Sequence, residues 1–141
     1  MKVFLDTNVL ISGIFFPGNE ALLLSLPNLE LITSEVAVKE LKEVASRKFS
    51  SFKVESKRVA LHEIERALGD LRIVEEKEGR KCLGEASRFV QGENDRKILA
   101  AVFYANPDYF ITGDRHFHTA PIKSRINVKY AREFLRELKI T

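Results

Sequence analysis

Short apolar runs that end in polar turns alternate along this chain with stretches of helical periodicity. The clearest runs are 2–5, which leads into Asp6, and 109–112, which leads through Gly113 into Asp114. Apolar runs of this length, each followed by a helical pattern, are typical of strands in a parallel sheet that is buried on both faces. The pattern therefore predicts an α/β fold with a mainly parallel central sheet flanked by helices.

Turn and capping signals predict the remaining elements. Further strands are predicted at 29–33, 71–74 and, from a weaker pattern, 126–128. Helices are predicted at 9–16, 19–26, 34–49, 54–68, 83–90, 95–105 and 130–138, and residues 75–80 are predicted to form a charged loop. Several boundaries depend on capping residues such as Asn19 and Ser34, and on the helix breakers Pro17-Gly18.

The two strands that end in acids predict one shared site. The carboxyl ends of parallel strands meet at one edge of a sheet, where α/β proteins bind ligands. If both strands are central and parallel, Asp6 and Asp114 lie together at that edge despite their separation in sequence. Paired carboxylates suit a hard divalent cation. The alternative is that each aspartate is only a turn or capping residue.

Helix geometry separates the acids of the segment 34–49. Glu40 shares its row of side chains with Val36 and Val44, so it leans toward the core, whereas Glu43 lies on a basic row. An acid on an apolar row is costly to desolvate unless it is paired or bound to a metal. Two interpretations of Glu40 stay open: a metal ligand, or a side chain at the edge of the apolar stripe that reaches solvent.

Asp95 opens the predicted helix 95–105 and lies on its apolar row. An acid in the first helical turn offsets the helix dipole and needs no function. Against that, Asp95 shares the row of Ile98, Leu99 and Val102, and Glu93 and Asn94 are available as caps. Asn8 and Thr112 are candidates for the hydrogen bonds that fix carboxylates in metal sites.

Composition fits a globular protein and limits the possible partners. The 141 residues predict a single domain spanning 1–141. The net charge of +3 and pI near 9.0 are only mildly basic, but four acids gathered in one pocket would leave 16 others against 23 Lys and Arg. Such a field suits a polyanion. Four side chains are candidate nucleic-acid contacts, although an ordinary solvated loop would explain them too: Arg115, His116, Lys123 and Arg125.

Other sequence features bear on compartment and on zinc. No apolar run reaches transmembrane length, and Asp6 and Asn8 interrupt what would be the apolar part of a secretory signal, so we expect the first strand to remain in the mature protein. The single cysteine, Cys82, excludes intrachain disulfides and multi-cysteine zinc sites and predicts a reducing, cytoplasmic setting. The pair His116 and His118 is a weak zinc signal without a third ligand nearby.

Four segments, taken in order, carry a resemblance to a known family: the string Val3-Phe4-Leu5-Asp6-Thr7-Asn8-Val9-Leu10-Ile11, then Glu40, the helix Asp95-x-x-Ile98-Leu99-Ala100-Ala101, and the turn Ile111-Thr112-Gly113-Asp114-Arg115-x-Phe117. On these segments the chain resembles the PIN-domain family over essentially its whole length. The resemblance implies a three-layer α/β/α fold and the metal-dependent ribonuclease activity of the family's characterised members. Many single-domain bacterial and archaeal members resemble VapC-type toxins, which a small antitoxin neutralises.

Carried over residue by residue, the resemblance assigns roles in catalysis and metal binding to four acids: Asp6, Glu40, Asp95 and Asp114. It makes Asn8 and Thr112 their polar support. It implies Mg²⁺ or Mn²⁺, which oxygen-only sites select, and hydrolysis of RNA phosphodiester bonds. It also implies an antitoxin partner and a homodimer. The leucine-rich stretch 21–26 could supply apolar surface for such contacts or be wholly core.

Departures from the family pattern leave alternatives open. Many members have a further acid shortly after the position of Asp114, where this chain has Arg115 and His116, so binding of a second ion stays open. Residues 49–81 carry no family-specific string. An RNA-processing nuclease without an antitoxin, or an inactive binding module, would share this pattern. A haloacid-dehalogenase-like phosphatase is disfavoured, because Asn8 stands where its general-acid aspartate would be.

Overall fold

The computed structural model describes residues 1–140, and a parallel sheet lies at their centre. Within these residues the sheet has five strands, in the order β3-β2-β1-β4-β5. The strands are β1 (Lys2–Leu5), β2 (Glu30–Ser34), β3 (Arg72–Val74), β4 (Tyr109–Ile111) and β5 (Val128–Lys129). Every neighbouring pair is parallel. The predicted α/β class with a mainly parallel sheet is confirmed; Thr141, the last residue of the predicted domain, lies outside the described residues.

Helices cover both faces of the sheet. They are α1 (Thr7–Phe15), α2 (Asn19–Ser25), α3 (Glu35–Lys48), α4 (Lys57–Leu68), α5 (Glu76–Gly79), α6 (Leu83–Ala86), α7 (Glu93–Ala105), α8 (Ala120–Arg125) and α9 (Ala131–Glu137). Short 3₁₀ turns occur at Phe49–Phe52, Arg80–Cys82 and Arg115–Phe117. No helix in residues 1–140 has the length and apolar character needed to cross a membrane.

Alternate side chains of the central strands enter two different cores. Phe4 and Phe110 are fully buried on the face that α6, α7 and α8 cover. Leu5 and Ile111 are fully buried on the other face, which α1 to α4 and α9 cover. Because both faces are covered, the central strands need continuous apolar runs rather than alternating ones. The result is the expected three-layer arrangement, with β1 and β4 buried between the two helical layers.

Several predicted boundaries were wrong. The segment predicted as a charged loop at 75–80 contains α5, because the backbone N–H of Glu75 donates to the side chain of Glu78 and Glu35 accepts from Glu76 N at 2.9 Å. The helix predicted at 83–90 ends at Ala86, and the one predicted from 54 starts at Lys57. Helix α8 was not predicted, and the last strand is Val128–Lys129 rather than 126–128.

Candidate metal centre

Sheet topology brings the two strand-end segments together. Strand β1 pairs with β4 in a register that sets Leu5 opposite Ile111, so Asp6 and Thr112 leave the sheet side by side. The backbone N–H of Asp6 donates to the carbonyl of Ile111 at 3.1 Å. Parallel pairing of two central strands therefore joins residues from the two ends of the chain, as the sequence pattern predicted.

Asp6 is buried and held at both carboxylate oxygens. Its Oδ1 accepts from the backbone N–H of Thr7 at 2.8 Å, and its Oδ2 accepts from the hydroxyl of Thr112 at 2.6 Å. Burial raises its pKa to about 6; the two hydrogen bonds oppose this shift, and the charges of Asp114 and Asp95 add to it. Each carboxylate oxygen has two acceptor sites, so both oxygens of Asp6 keep one for a cation.

Thr112 connects the two acidic strand ends. Its side chain is fully buried, and its hydroxyl donates to Asp6 while accepting from the backbone N–H of Asp114 at 3.0 Å. The carbonyl of Thr112 accepts from His118 Nε2 at 2.8 Å. Asn8, which is exposed, accepts from Gly113 N at 3.4 Å. Both residues predicted as polar support thus contact the loop that carries Asp114.

Asp95 and Asp114 approach each other from a helix terminus and a turn. Asp95 is half-buried in the first turn of α7, and burial, together with the charge of Asp114, raises its pKa while His116 lowers it. Asp114 Oδ1 accepts from the backbone N–H of His116 at 2.9 Å. Possible ligand atoms of Asp95, Asp114 and His116 all lie within 4.8 Å of one another. His116, predicted as a nucleic-acid contact and, with His118, as no more than a weak zinc signal, therefore lies beside the acids.

Glu40 completes the acidic group from α3. Burial raises its pKa, and the charges of Asp6, Asp95 and Glu43 raise it further. Its Oε1 is buried, with no hydrogen-bond partner among the described residues. Since buried acceptors are nearly always satisfied, a cation would complete this site. Of the four acids, Asp95 and Asp114 have ligand atoms within reach of one ion, whereas Asp6 and Glu40 interact with the other acids through charge. Carboxylate oxygens of this kind suit Mg²⁺ or Mn²⁺.

Basic side chains flank the acids on both sides. One groove beside Glu40 is lined by Lys39, Lys42 and Lys97. These lysines were not predicted as site residues, although Lys39 directly precedes Glu40 in α3. On the other side of the acids, a depression contains Asp95, Arg115 and His116. The groove beside Glu40 also contains Glu35, Glu43 and Glu76. Lys42 is paired with Glu65, and Lys97 is paired with Glu76 and Glu93. Among residues 1–140, Lys39 on one side and Arg115 on the other form no ion pair.

Two of the predicted nucleic-acid contacts lie on α8. Lys123 is exposed there. Arg125 donates through Nε to Glu85 at 2.8 Å, and its guanidinium carbon lies 4.5 Å from the centre of the Phe103 ring. Neither hydrophobic periodicity nor capping signals predict this pairing between α8 and α6. A role for either residue in nucleic-acid binding stays a prediction, and Arg125 already has a structural partner.

Comparison with known proteins agrees with this arrangement. A family model described as a PIN domain matches residues 2–116. This chain belongs to the PIN-domain family. No curated protein matched the chain in a separate comparison.

Solved structures of bacterial complexes share the fold of this PIN domain. VapBC2 from Rickettsia felis, bound to a DNA fragment from its promoter, matches with 19% identity and a TM-score of 0.68, covering 92% of this chain and 98% of that chain. VapBC-1 from nontypeable Haemophilus influenzae matches with 18% identity and a TM-score of 0.63, covering 94% of this chain and 99% of that chain. FitAcB from Neisseria gonorrhoeae matches with 21% identity and a TM-score of 0.63, covering 92% of this chain and 98% of that chain. At these identities the likeness shows the fold.

Proposed function

We propose that this PIN domain, acting as a single domain over 1–141, is a metal-dependent endoribonuclease and the toxin of a cytoplasmic toxin–antitoxin pair. One observation carries the enzymatic part: four acids from distant segments converge beyond the central strands. Burial and the charges of neighbouring acids raise the pKa of Asp6, Glu40 and Asp95, and Glu40 keeps a buried oxygen without a donor. Such a group is destabilising without a cation, which supports a role for it in binding one.

In this proposal the four acids share one task, and two polar residues support them. Asp6, Glu40, Asp95 and Asp114 would hold Mg²⁺ or Mn²⁺, and the bound ion would supply the Lewis acidity that activates water and screens charge on the phosphate. Thr112 orients Asp6 through its hydroxyl. Asn8 holds the loop of Asp114 through Gly113. No side chain has to become a covalent nucleophile.

Substrate binding would use the basic surroundings of the centre. Lys39 lies along the groove on one side and Arg115 lies on the other. An RNA backbone that runs between these groups would cross the acids, and the basic side chains would neutralise the phosphates on either side of them. His116, Lys123 and Arg125 stay predicted contacts to RNA in this proposal.

The partner is proposed from the neighbours and from exposed apolar surface. The matched structures are a promoter-bound VapBC2 complex, VapBC-1 and FitAcB, which supports an antitoxin partner for this chain. Phe16 and Leu22, at the end of α1 and on α2, are large apolar side chains left exposed. Exposed apolar surface of this kind suits an antitoxin or a second copy in a homodimer.

The test is cleavage of an end-labelled single-stranded RNA by purified protein. We expect cleavage with Mn²⁺, none with EDTA, and none in Asp95→Asn. Asp70→Asn is the matched control, because it removes the same charge from an exposed turn after α4, and it should cleave normally. Cleavage that survives both EDTA and Asp95→Asn would contradict the metal centre. Metal binding without cleavage of any RNA would favour a binding module.

A further inference from the structure

The side chain of His116 lies at the acidic centre but is not one of the family-like acids. The 3₁₀ turn Arg115–Phe117 begins at Asp114, whose Oδ1 accepts from the backbone N–H of His116. The imidazole lies against the same carboxylate, with Nδ1 2.9 Å from Oδ1. Asp95 from α7 completes a group whose possible ligand atoms lie within 4.8 Å of one another.

These separations are close to those of ligands on one ion. Ligand atoms bound at about 2.1 Å to one ion lie at most about 4.2 Å apart. The side chain of His116 is 78% exposed, so a small rotation that brings its ring onto an ion meets little steric resistance. The imidazole therefore has both the position and the freedom of a ligand.

We propose that His116 is a nitrogen ligand of the ion held by Asp95 and Asp114, and that this ligand makes the centre prefer Mn²⁺ to Mg²⁺. The inference deepens the proposed function and rests on a divalent ion at this centre. Mg²⁺ binds oxygen and retains its water, whereas transition-metal ions also accept imidazole nitrogen. A carboxylate site with one imidazole thus gains affinity for Mn²⁺ that it does not gain for Mg²⁺.

A positioning role makes a different prediction. If the imidazole only oriented the carboxylate of Asp114, its removal would weaken the binding of both ions equally, since both use that carboxylate. A nitrogen ligand affects chiefly the transition-metal ion. The ratio of the two affinities therefore separates the two roles.

Calorimetric titration of the full chain with Mn²⁺ and with Mg²⁺ measures that ratio directly. In His116→Gln, we expect the preference for Mn²⁺ to fall by about tenfold, mainly through weaker Mn²⁺ binding. His116→Asp supplies oxygen instead of nitrogen and should also lose the preference, while keeping or improving Mg²⁺ affinity. His62→Gln is the control, because His62 is an exposed histidine on α4, and it should leave the ratio unchanged.

Pulsed electron paramagnetic resonance of the Mn²⁺-loaded protein gives an independent readout. We expect a coupling to a directly bound imidazole nitrogen in the natural chain and in His62→Gln, and its loss in His116→Gln. Absence of that coupling in the natural chain, or its persistence in His116→Gln, would overturn the inference, as would equal losses for both ions. Metal-dependent RNA cleavage without a nitrogen coupling would leave the proposed function standing. Failure to bind either ion would overturn both proposals.

Discussion

The floor of the metal centre, formed by Asp6 and Thr112, is held far more tightly than its mouth, formed by Asp95, Asp114 and His116. Both floor residues are buried at the ends of paired central strands and joined by a 2.6 Å hydrogen bond. The mouth residues lie on a helix terminus and a 3₁₀ turn, half-buried or exposed. In the proposed function, a rigid floor would fix where an ion binds, while the mouth would adjust to ion and substrate.

Electrostatics follow the same division. Burial is the largest cause of the raised pKa of Asp6, and its hydrogen bonds only partly offset it. At the mouth, burial and Asp114 raise the pKa of Asp95, but His116 opposes them. A bound cation would thus remove more electrostatic destabilisation from Asp6 than from Asp95. This fold thus retains a buried acid that destabilises it, at a position where the proposed function would need one.

The largest expected effect comes from removing charge at the floor. Asp6→Asn keeps the shape and an acceptor for Thr7 N but removes a charge aimed at the ion. We expect RNA cleavage to fall by about 10²–10³-fold or more, the scale for loss of one preorganised electrostatic group. Initial rates on labelled RNA at saturating Mn²⁺ measure this, with Asp70→Asn as the control. If the cleavage rate fell more in His116→Gln than in Asp6→Asn, the mouth would contribute more to cleavage than the floor.

The second prediction concerns stability of the metal-free protein against pH. The pKa of Asp6 is raised from 3.8 to about 6, so between those pH values the folded state keeps a proton that the unfolded state has released. Protonation of Asp6 therefore stabilises the folded state. This contribution to the free energy of unfolding is fully present below about pH 4 and is lost as the pH rises through about 6. The loss approaches about 3 kcal/mol at neutral pH.

Urea unfolding in EDTA between pH 4 and 7 measures this loss. Other carboxylates titrate too; the pKa values of Glu76 and Glu85, for example, are lowered by Lys97 and Arg125. The informative quantity is therefore the difference in free energy of unfolding between the natural chain and Asp6→Asn. We expect Asp6→Asn to become relatively more stable as pH rises. A difference that stays constant across this range would show that Asp6 titrates normally.

Strand pairing made the meeting of Asp6 and Asp114 predictable from the sequence, whereas the position of His116 was not predictable. Asp6 and Thr112 follow apolar strands, and pairing of parallel strands fixes where strand ends meet, so a local pattern was sufficient. Glu40 and Asp95 each share a row of side chains with apolar residues, so helical periodicity, which is also a local pattern, predicted that both lie on the apolar face of their helix. His116 reaches the acids through a 3₁₀ turn that Asp114 caps, and such a turn leaves no periodic signal.

Long-range polar pairs account for other differences. The charged segment 75–80 forms a helix partly because Glu35, on α3, accepts from Glu76 N. The pairing of Arg125 with Glu85 joins two helices that are distant in sequence. Neither contact follows from hydrophobic periodicity, which reports only which face of an element is buried.

The third prediction tests the hydroxyl that joins the floor to the mouth. Thr112→Val keeps the volume but leaves Asp6 Oδ2 without this donor and Asp114 N without its acceptor. We expect about 1–3 kcal/mol less stability at pH 4, where Asp6 is protonated, and about 10–100-fold weaker Mn²⁺ binding. Thr112→Ser restores the hydroxyl and should recover most of both. Equal Mn²⁺ affinity in the Val and Ser variants would show that the hydroxyl does not position Asp6.

The smallest expected effect separates the two arginines predicted to contact RNA. Arg115 is exposed beside Asp95, whereas the guanidinium of Arg125 is engaged by Glu85 and Phe103. Loss of one phosphate contact lowers the salt dependence of single-strand binding by about 0.7 in the slope of log K against log salt. We expect that change in Arg115→Gln and a smaller one in Arg125→Gln, which should instead lose up to about 1 kcal/mol of stability.

Anisotropy titrations of labelled RNA at several salt concentrations, with Asp95→Asn as background to prevent cleavage, measure both slopes. If the slope fell more in Arg125→Gln, RNA would displace Glu85 from its arginine, and the binding surface would extend from the mouth onto α8.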